Sequence, residues 1–249
     1  MGECGTANPQ PGIIHKYRGR ALLMVASICA INCRYCFRRH FPYEQNQNSR
    51  REWREALSYI AGDPTVEEVI FSGGDPLIAN DRLLAELVAQ IAKIPHVRRL
   101  RIHSRLPVVL PDRVTEDLLD AIEHPNLQTV MVIHSNHGNE IDNTVGDAVA
   151  AMRSRGITVL NQAVLLRGVN DDAASLVELS EKLFAAGVLP YYLHLLDKVA
   201  GAAHFDLPEQ HARRLMGKVS ARLPGYLVPR LVREEAGAGA KTGVAFDHA

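Results

Sequence analysis

The sequence predicts an α/β fold, an open partial barrel of the (β/α)6 type followed by a C-terminal extension. Short runs rich in Val, Ile, Leu and Tyr alternate along the chain with stretches whose apolar residues recur at helical spacing. This strand-then-helix order indicates a parallel sheet, because each helix carries the chain back to begin the next strand alongside the last. The units are fewer than a closed barrel requires, so we expect an open one.

The predicted strands are short and mostly apolar throughout, as expected where helices cover a parallel sheet. In chain order they are Ala21–Ala26, Glu68–Phe71, Leu100–His103, Thr129–His134, Thr158–Val164 and Tyr191–Leu196.

The predicted helices carry apolar side chains on one face, as Trp53 and Ile60 do in the first of them. Thr115 and Asp171 are suitable residues for helix starts, whereas Gly156 and Gly187 stand where helices are expected to end. The helices are Arg51–Ala61, Asp81–Ile94, Val114–Ile122, Asp147–Arg155, Ala173–Ala186 and Pro208–Leu223.

Composition limits the function classes. The chain has 249 residues, 47% of them hydrophobic, and a formal net charge of zero, which favours neither nucleic acid nor an anionic membrane surface. No apolar run approaches the roughly 20 residues that span a bilayer. We expect a flexible leader at 1–15, a barrel at 16–200, and a C-terminal segment at 201–249 with a helix and a functional lysine.

Cys29, Cys33 and Cys36 form a C-x3-C-x2-C pattern directly after the first predicted strand. Three thiolates on one loop can bind three irons of a [4Fe–4S] cluster and leave the fourth iron open to another ligand. This spacing is close to diagnostic of the radical S-adenosylmethionine (SAM) superfamily, in which SAM binds that iron.

Other interpretations of the cysteines are weaker. A structural zinc site usually has four ligands in two pairs, and His40 is the only imidazole near this triplet. A ferredoxin-like cluster would require Cys4 to fold back as a fourth ligand. Disulfides are disfavoured because no signal peptide is evident and the thiols are crowded, so we expect a reducing cytoplasm.

Unusual polar residues follow the predicted strands, where the sites of such barrels lie. After the cysteine loop come Ser72–Asp75, His103–Arg105, His134–His137 and Asp197–Lys198, with Asn161 and Gln162 inside the fifth strand.

These motifs resemble the lysine 2,3-aminomutase family of radical SAM enzymes, and most closely the branch that makes β-lysine for modifying translation elongation factor P. The resemblance runs from about Gly12 to about Thr242. It is carried by the cysteine loop with its continuation to Phe41, and by the segments Phe71–Leu77, Ser104–Pro111, Asn161–Asn170 and Pro190–Tyr192.

The resemblance implies three cofactors: a [4Fe–4S] cluster, SAM and pyridoxal 5′-phosphate (PLP). Lys241, after a Gly-rich stretch, corresponds to the lysine that binds the PLP aldehyde as a Schiff base. The other residues that it implies near the cofactors are Arg20, Gly73, Gly74, Asp75, His134 and Gln162.

The resemblance also implies an isomerase that converts L-lysine to β-lysine. Arg38 corresponds to the arginine that binds the substrate carboxylate, and Asp197 to an aspartate that pairs with the distal ammonium. Glu234 stands where relatives that act on free lysine have a second aspartate. Moving an amino group to an unactivated carbon requires radical chemistry, hence an electron donor such as flavodoxin or ferredoxin. A homo-oligomer is compatible with the sequence.

Two alternatives remain. An aminomutase could act on another amino acid, although Asp197 and Glu234 would repel a second substrate carboxylate. A non-catalytic iron–sulfur protein would need the cysteines but neither Lys241 nor Arg38.

Overall fold

The computed structural model describes residues 12–36, 38, 50–235, 238 and 240–247, and these form a nine-stranded sheet whose spatial order follows the chain. Strands β2 to β8 run parallel, and β1 and β9 pair antiparallel at the two edges. The strands are β1 (Ile13–Tyr17), β2 (Arg20–Ala26), β3 (Glu68–Gly73), β4 (Arg99–Ser104), β5 (Gln128–Ile133), β6 (Thr158–Val164), β7 (Leu189–His194), β8 (Arg230–Arg233) and β9 (Thr242–Gly243).

Helices connect successive parallel strands, and none in the described part of the chain is long and apolar enough to cross a membrane. Thr115 caps its helix as predicted, but the sixth helix is capped by Asp172 rather than by Asp171. The helices are α1 (Arg50–Gly62), α2 (Asp81–Ile91), α3 (Leu106–Val109), α4 (Glu116–Ile122), α5 (Asn143–Ser154), α6 (Ala173–Ala185) and α7 (Glu209–Ser220).

The partial α/β barrel is confirmed, with one parallel strand more than predicted. All six predicted strands are present, with ends within two residues of the prediction. The seventh parallel strand, β8, lies in the predicted C-terminal extension and was missed because its four residues have an arginine at each end. Strand β1 crosses the predicted boundary between leader and barrel, and its first residue, Ile13, is buried.

Alternation along the strands separates a packed layer from a polar interior. On β4, Leu100 and Ile102 are fully buried in the core shared with the helices, whereas Arg101 and His103 point to the other side and are only half-buried. The polar side therefore faces the inside of the barrel, where a ligand can be received.

Candidate active site

The cysteine loop follows β2 at the carboxyl end of the sheet. Cys29 is exposed, Cys33 and Cys36 are half-buried, and the Cys36 amide donates a hydrogen bond of 3.2 Å to the Cys33 carbonyl. Burial, aided by the neighbouring Asp75, Cys36 and Cys33, raises the pKa of Cys29 to about 11. The thiol therefore stays protonated until a metal displaces its proton.

The three cysteines of the loop are suited to a cluster, because each thiolate can bind a different iron. Among the described residues, no three His, Cys, Asp or Glu side chains are grouped around one point as single-ion ligands. Cys4, His40 and the Gly-rich positions 236, 237 and 239 lie outside the described residues.

Gly73 and Gly74 seat this loop against the end of β3. The Gly74 amide donates to the Ala26 carbonyl at 2.7 Å, and the Asp75 amide donates to the Ile28 carbonyl at 2.9 Å. Gly73 has a φ of +116°, and a Cβ on Gly74 would lie 2.1 Å from the Ile28 oxygen. Only glycine, which has no Cβ, permits the backbone of the cysteine loop to approach the end of β3 so closely.

We expect Gly74→Ala to displace the cysteine loop, because the new methyl group overlaps the Ile28 carbonyl. The overpacking should lower the free energy of unfolding by about 1–3 kcal/mol. Iron and sulfide bound per chain after reconstitution measure the effect. Gly62→Ala is the control, since a Cβ there meets no atom within 4 Å. Equal iron loading of the two variants would contradict this account of the loop.

Asp75 stabilises the turn that follows β3. Its two carboxylate oxygens accept hydrogen bonds from Ser104 Oγ at 2.7 Å, the Arg105 amide at 2.8 Å and the Leu77 amide at 3.1 Å. Burial raises the pKa of Asp75, and these hydrogen bonds oppose the rise. The carboxylate thus joins the ends of β3 and β4, and contact of this segment with SAM stays a prediction.

Arg38 lies between the cysteine loop and the barrel interior. Its Nη1 donates to Ser72 Oγ at 2.6 Å and to the Gly73 carbonyl at 2.8 Å. Its charge lowers the pKa of Cys29 on one side and that of His134 on the other. The cysteine loop and the interior therefore form one electrostatic environment.

A hydrogen-bond network that sequence reasoning missed holds the cysteine loop from the far side. Arg105 donates to the Tyr35 hydroxyl at 3.1 Å and to the His134 carbonyl at 3.0 Å, and it pairs with Glu140. Asn136 Nδ2 donates to the same hydroxyl at 2.6 Å. Arg105 and Asn136 are among the polar residues that follow predicted strands, but nothing in the sequence distinguishes Glu140.

Inside the barrel, His103 and His134 face each other, with His134 Nε2 3.5 Å from His103 Nδ1. Burial lowers the pKa of His134 to about 3, and the charges of Arg105, Lys241 and Arg38 act in the same direction. Nearby, Gln162 Oε1 is buried without a hydrogen-bond partner among the described residues. Such an atom indicates a partner that the protein does not supply, as a cofactor would.

Lys241 enters the same interior from the segment between β8 and β9. Its Nζ lies 2.8 Å from His194 Nε2 and 4.7 Å from the centre of the Tyr192 ring. Burial lowers the pKa of Lys241 to about 8, although Glu234 and Asp197 oppose the change. A lysine whose pKa is lowered to about 8 has a larger neutral fraction at neutral pH than an ordinary lysine, which suits it to attack an aldehyde, so the residue fits PLP.

A β-bulge places Tyr192 and His194 at this lysine. Asn161 pairs with Pro190 and Gln162 pairs with Tyr192, so Tyr191 is an extra residue on β7. Bulges redirect the side chains that follow them. The extra residue thus brings the Tyr192 ring to Lys241.

The two predicted ammonium ligands differ in their surroundings. Glu234 Oε1 accepts from Lys16 Nζ at 2.6 Å and from the Tyr17 hydroxyl at 2.5 Å. Asp197 is half-buried and has no hydrogen bond or ion pair within the described residues, and burial raises its pKa. Arg20, at the start of β2, lies 4.6 Å from the Tyr17 ring, and its charge lowers the pKa of Lys241.

Comparison with known proteins agrees with this arrangement. The profile of the radical SAM superfamily matches residues 23–179. The solved structure of Streptococcus suis SuiB bound to S-adenosylmethionine superposes with a TM-score of 0.59 at 14% identity, covering 88% of this chain and 48% of that chain. This similarity concerns the fold alone.

Sequence similarity to curated proteins is much higher. The L-lysine 2,3-aminomutase of Escherichia coli is 55% identical over 93% of this chain and 68% of its own length. The protein of the same name from Haemophilus influenzae is 53% identical over 95% of this chain and 70% of its own length. The predicted set of cluster, SAM and PLP is thereby confirmed for the family, as is the isomerase class. With the cysteine loop, the polar barrel interior and the half-buried lysine in place, this chain belongs to the L-lysine 2,3-aminomutase family of the radical SAM superfamily.

Proposed function

We propose that this protein converts L-lysine to β-lysine by moving the amino group from C2 to C3. The observation that carries the proposal is the position of Lys241, a half-buried amine of lowered pKa in the same interior as Arg38 and the cysteine loop. An iron–sulfur protein without PLP chemistry would have no use for such a lysine.

The cofactors supply the reactive chemistry when bound: the cluster and SAM provide a carbon-centred radical, and PLP provides a π-system that stabilises the migrating nitrogen. The side chains of the protein bind these cofactors and orient them. Lys241 holds the PLP aldehyde, and His194, its hydrogen-bond partner, directs Nζ. Cys29, Cys33 and Cys36 would hold the cluster, and the buried oxygen of Gln162 would be available to accept a hydrogen bond from a bound cofactor.

Charge placement supports lysine as the substrate. Arg38 presents a guanidinium for the carboxylate at one side of the interior, and Asp197, near Lys241, presents a carboxylate that has no partner within the described residues. An acidic amino acid would bring a second carboxylate toward Asp197 and Glu234, which is unfavourable at short range. An acidic substrate is therefore the weaker alternative.

We further propose that the β-lysine formed serves the modification of elongation factor P, on the ground of the motif resemblance. Reduction of the cluster requires a one-electron donor such as flavodoxin or ferredoxin. The thiols must stay reduced to receive iron, which supports a cytoplasmic location.

The deciding experiment is anaerobic. The cluster is reconstituted, PLP, SAM, a strong reductant and L-lysine are added, and β-lysine is sought by mass spectrometry. β-Lysine formation supports the proposal. SAM cleavage without β-lysine would support the radical chemistry but refute the assignment of lysine as the substrate.

The pH dependence of PLP attachment tests the state of Lys241. Only the neutral amine attacks the aldehyde, and burial lowers its pKa to about 8, so attachment should accelerate as pH rises through about 8. Stopped-flow absorbance measures the rate. Nα-acetyl-lysine in solution is the reference, and its rate should rise only near the ordinary lysine pKa. If the rate for the protein rose with the same pH midpoint as the rate for the reference, the result would contradict the buried environment of Lys241.

A further inference from the structure

Glu234 is already occupied by groups of the protein. Lys16 Nζ and the Tyr17 hydroxyl both donate to its Oε1, at 2.6 Å and 2.5 Å, and Lys16 also donates to the Glu235 carbonyl at 3.2 Å. The side chains of Lys16 and Glu234 are 27% and 34% exposed, so the pair is partly shielded from solvent. Shielding makes such a pair stronger than one at the open surface.

Lys16 Nζ lies 2.6 Å from Glu234 Oε1, so this carboxylate already has an ammonium partner within the protein. Oε1 already accepts two hydrogen bonds, and a second ammonium at either oxygen of this carboxylate would lie close to the like charge of Lys16. Asp197 presents no such obstacle, because it forms no hydrogen bond or ion pair with the described residues. Lys16, Lys241 and Glu234 act on it only through their charge.

Glu234 also lies at the base of the loop that carries Lys241. It directly follows β8, and Lys241 directly precedes β9. The two strands pair through Arg233 and Thr242, so Glu234 and Lys241 are the two ends of one loop. Thr242 Oγ1 donates to Glu235 Oε2 at 2.7 Å and adds a second tie at the base of that loop. Fixing Glu234 to β1 therefore fixes the base from which Lys241 projects.

We propose that Glu234 is a positioning residue that fastens the Lys241 loop to β1 through Lys16 and Tyr17, and that recognition of the substrate's distal ammonium rests on Asp197. The inference deepens the proposed function and replaces the expectation that both carboxylates bind the substrate. Substitutions of Lys16 and Glu234 should therefore weaken the binding of PLP, whereas substitutions of Asp197 should weaken the binding of the substrate lysine.

A double-mutant cycle tests the first part. Lys16→Met and Glu234→Gln should each raise the PLP dissociation constant by about fivefold, the size of a partly shielded ion pair, and the double variant should be no worse than either. PLP binding is measured by absorbance titration of the reconstituted protein. Arg18→Met, an exposed change in the same hairpin, should leave PLP binding as in the parent. Additive effects would overturn the proposal, since Lys16 would then act on PLP independently.

Kinetics with lysine at saturating PLP test the second part. Asp197→Asn should raise KM by at least about tenfold, whereas Glu234→Gln should raise it by less than about threefold. A rise for Glu234→Gln as large as that for Asp197→Asn, with PLP binding unchanged, would overturn the proposal. If the parent protein makes no β-lysine, the proposed function fails, while the PLP cycle still decides whether Lys16 and Glu234 act together.

Discussion

Lys241→Ala is expected to abolish both β-lysine formation and covalent attachment of PLP. The variant keeps the barrel but loses the amine that lies beside Tyr192 and His194. Turnover should fall by at least about 1,000-fold, because PLP can no longer be held covalently and oriented. Borohydride reduction followed by peptide mass spectrometry measures attachment, and β-lysine is measured in the same preparations.

Lys198→Ala is the matched control, an exposed lysine that follows Asp197 directly. It should retain both attachment and turnover. Lys241→Arg keeps the positive charge but not the nucleophile, and it should fail like the alanine variant. Attachment at another lysine with turnover retained in Lys241→Ala would refute the role assigned to Lys241.

Cys33→Ala is expected to prevent assembly of a [4Fe–4S] cluster. Two remaining thiolates, Cys29 and Cys36, cannot hold the cubane and also leave a single iron open for SAM. Iron content should fall well below that of the parent, the reduced protein should lack a cluster signal in electron paramagnetic resonance, and SAM should not be cleaved.

Cys4→Ala provides the control of the same residue type, since Cys4 lies outside the triplet. It should load iron like the parent. Equal loss of the cluster in Cys4→Ala and Cys33→Ala would indicate a four-cysteine cluster and contradict the open iron. Stoichiometric zinc in place of iron would contradict the cluster itself.

Together the two substitutions separate the halves of the site. Lys241→Ala should keep iron and SAM binding, whereas Cys33→Ala should keep PLP attachment. Loss of both functions in either variant would indicate general misfolding, which its thermal unfolding midpoint would reveal.

Most of the barrel could be predicted because its signals are local. The apolar run of β5 and the helical spacing of α1 are visible within a few residues. Strand β8 and the bulge at Tyr191 could not be predicted in this way. Strand β8 is a strand only because its backbone pairs with β7, and the bulge exists only in the register between β6 and β7.

In the candidate site, too, features with a local sequence signal could be predicted, and features that depend on tertiary contacts could not. Cysteine spacing and the position of polar residues after strands identified the cluster loop and the barrel end where it lies. The network of Tyr35, Arg105 and Glu140 escaped prediction, because Tyr35 and Arg105 are 70 positions apart and meet only in the folded chain. The use of Gly73 and Gly74 to admit the backbone of the cysteine loop likewise depends on the seating of β2 against β3.

The sequence by itself determined which chemical groups are present and in what order the sheet receives them: three thiols after one strand, a guanidinium beside them, and a lysine near the end. Only the tertiary structure decided their properties. The lowered pKa of Lys241 arises from burial beside His194, 47 positions away, and the engagement of Glu234 arises from Lys16, 218 positions away. Burial and through-space charge depend on neighbours that folding brings together, so spacing along the chain does not encode them in readable form.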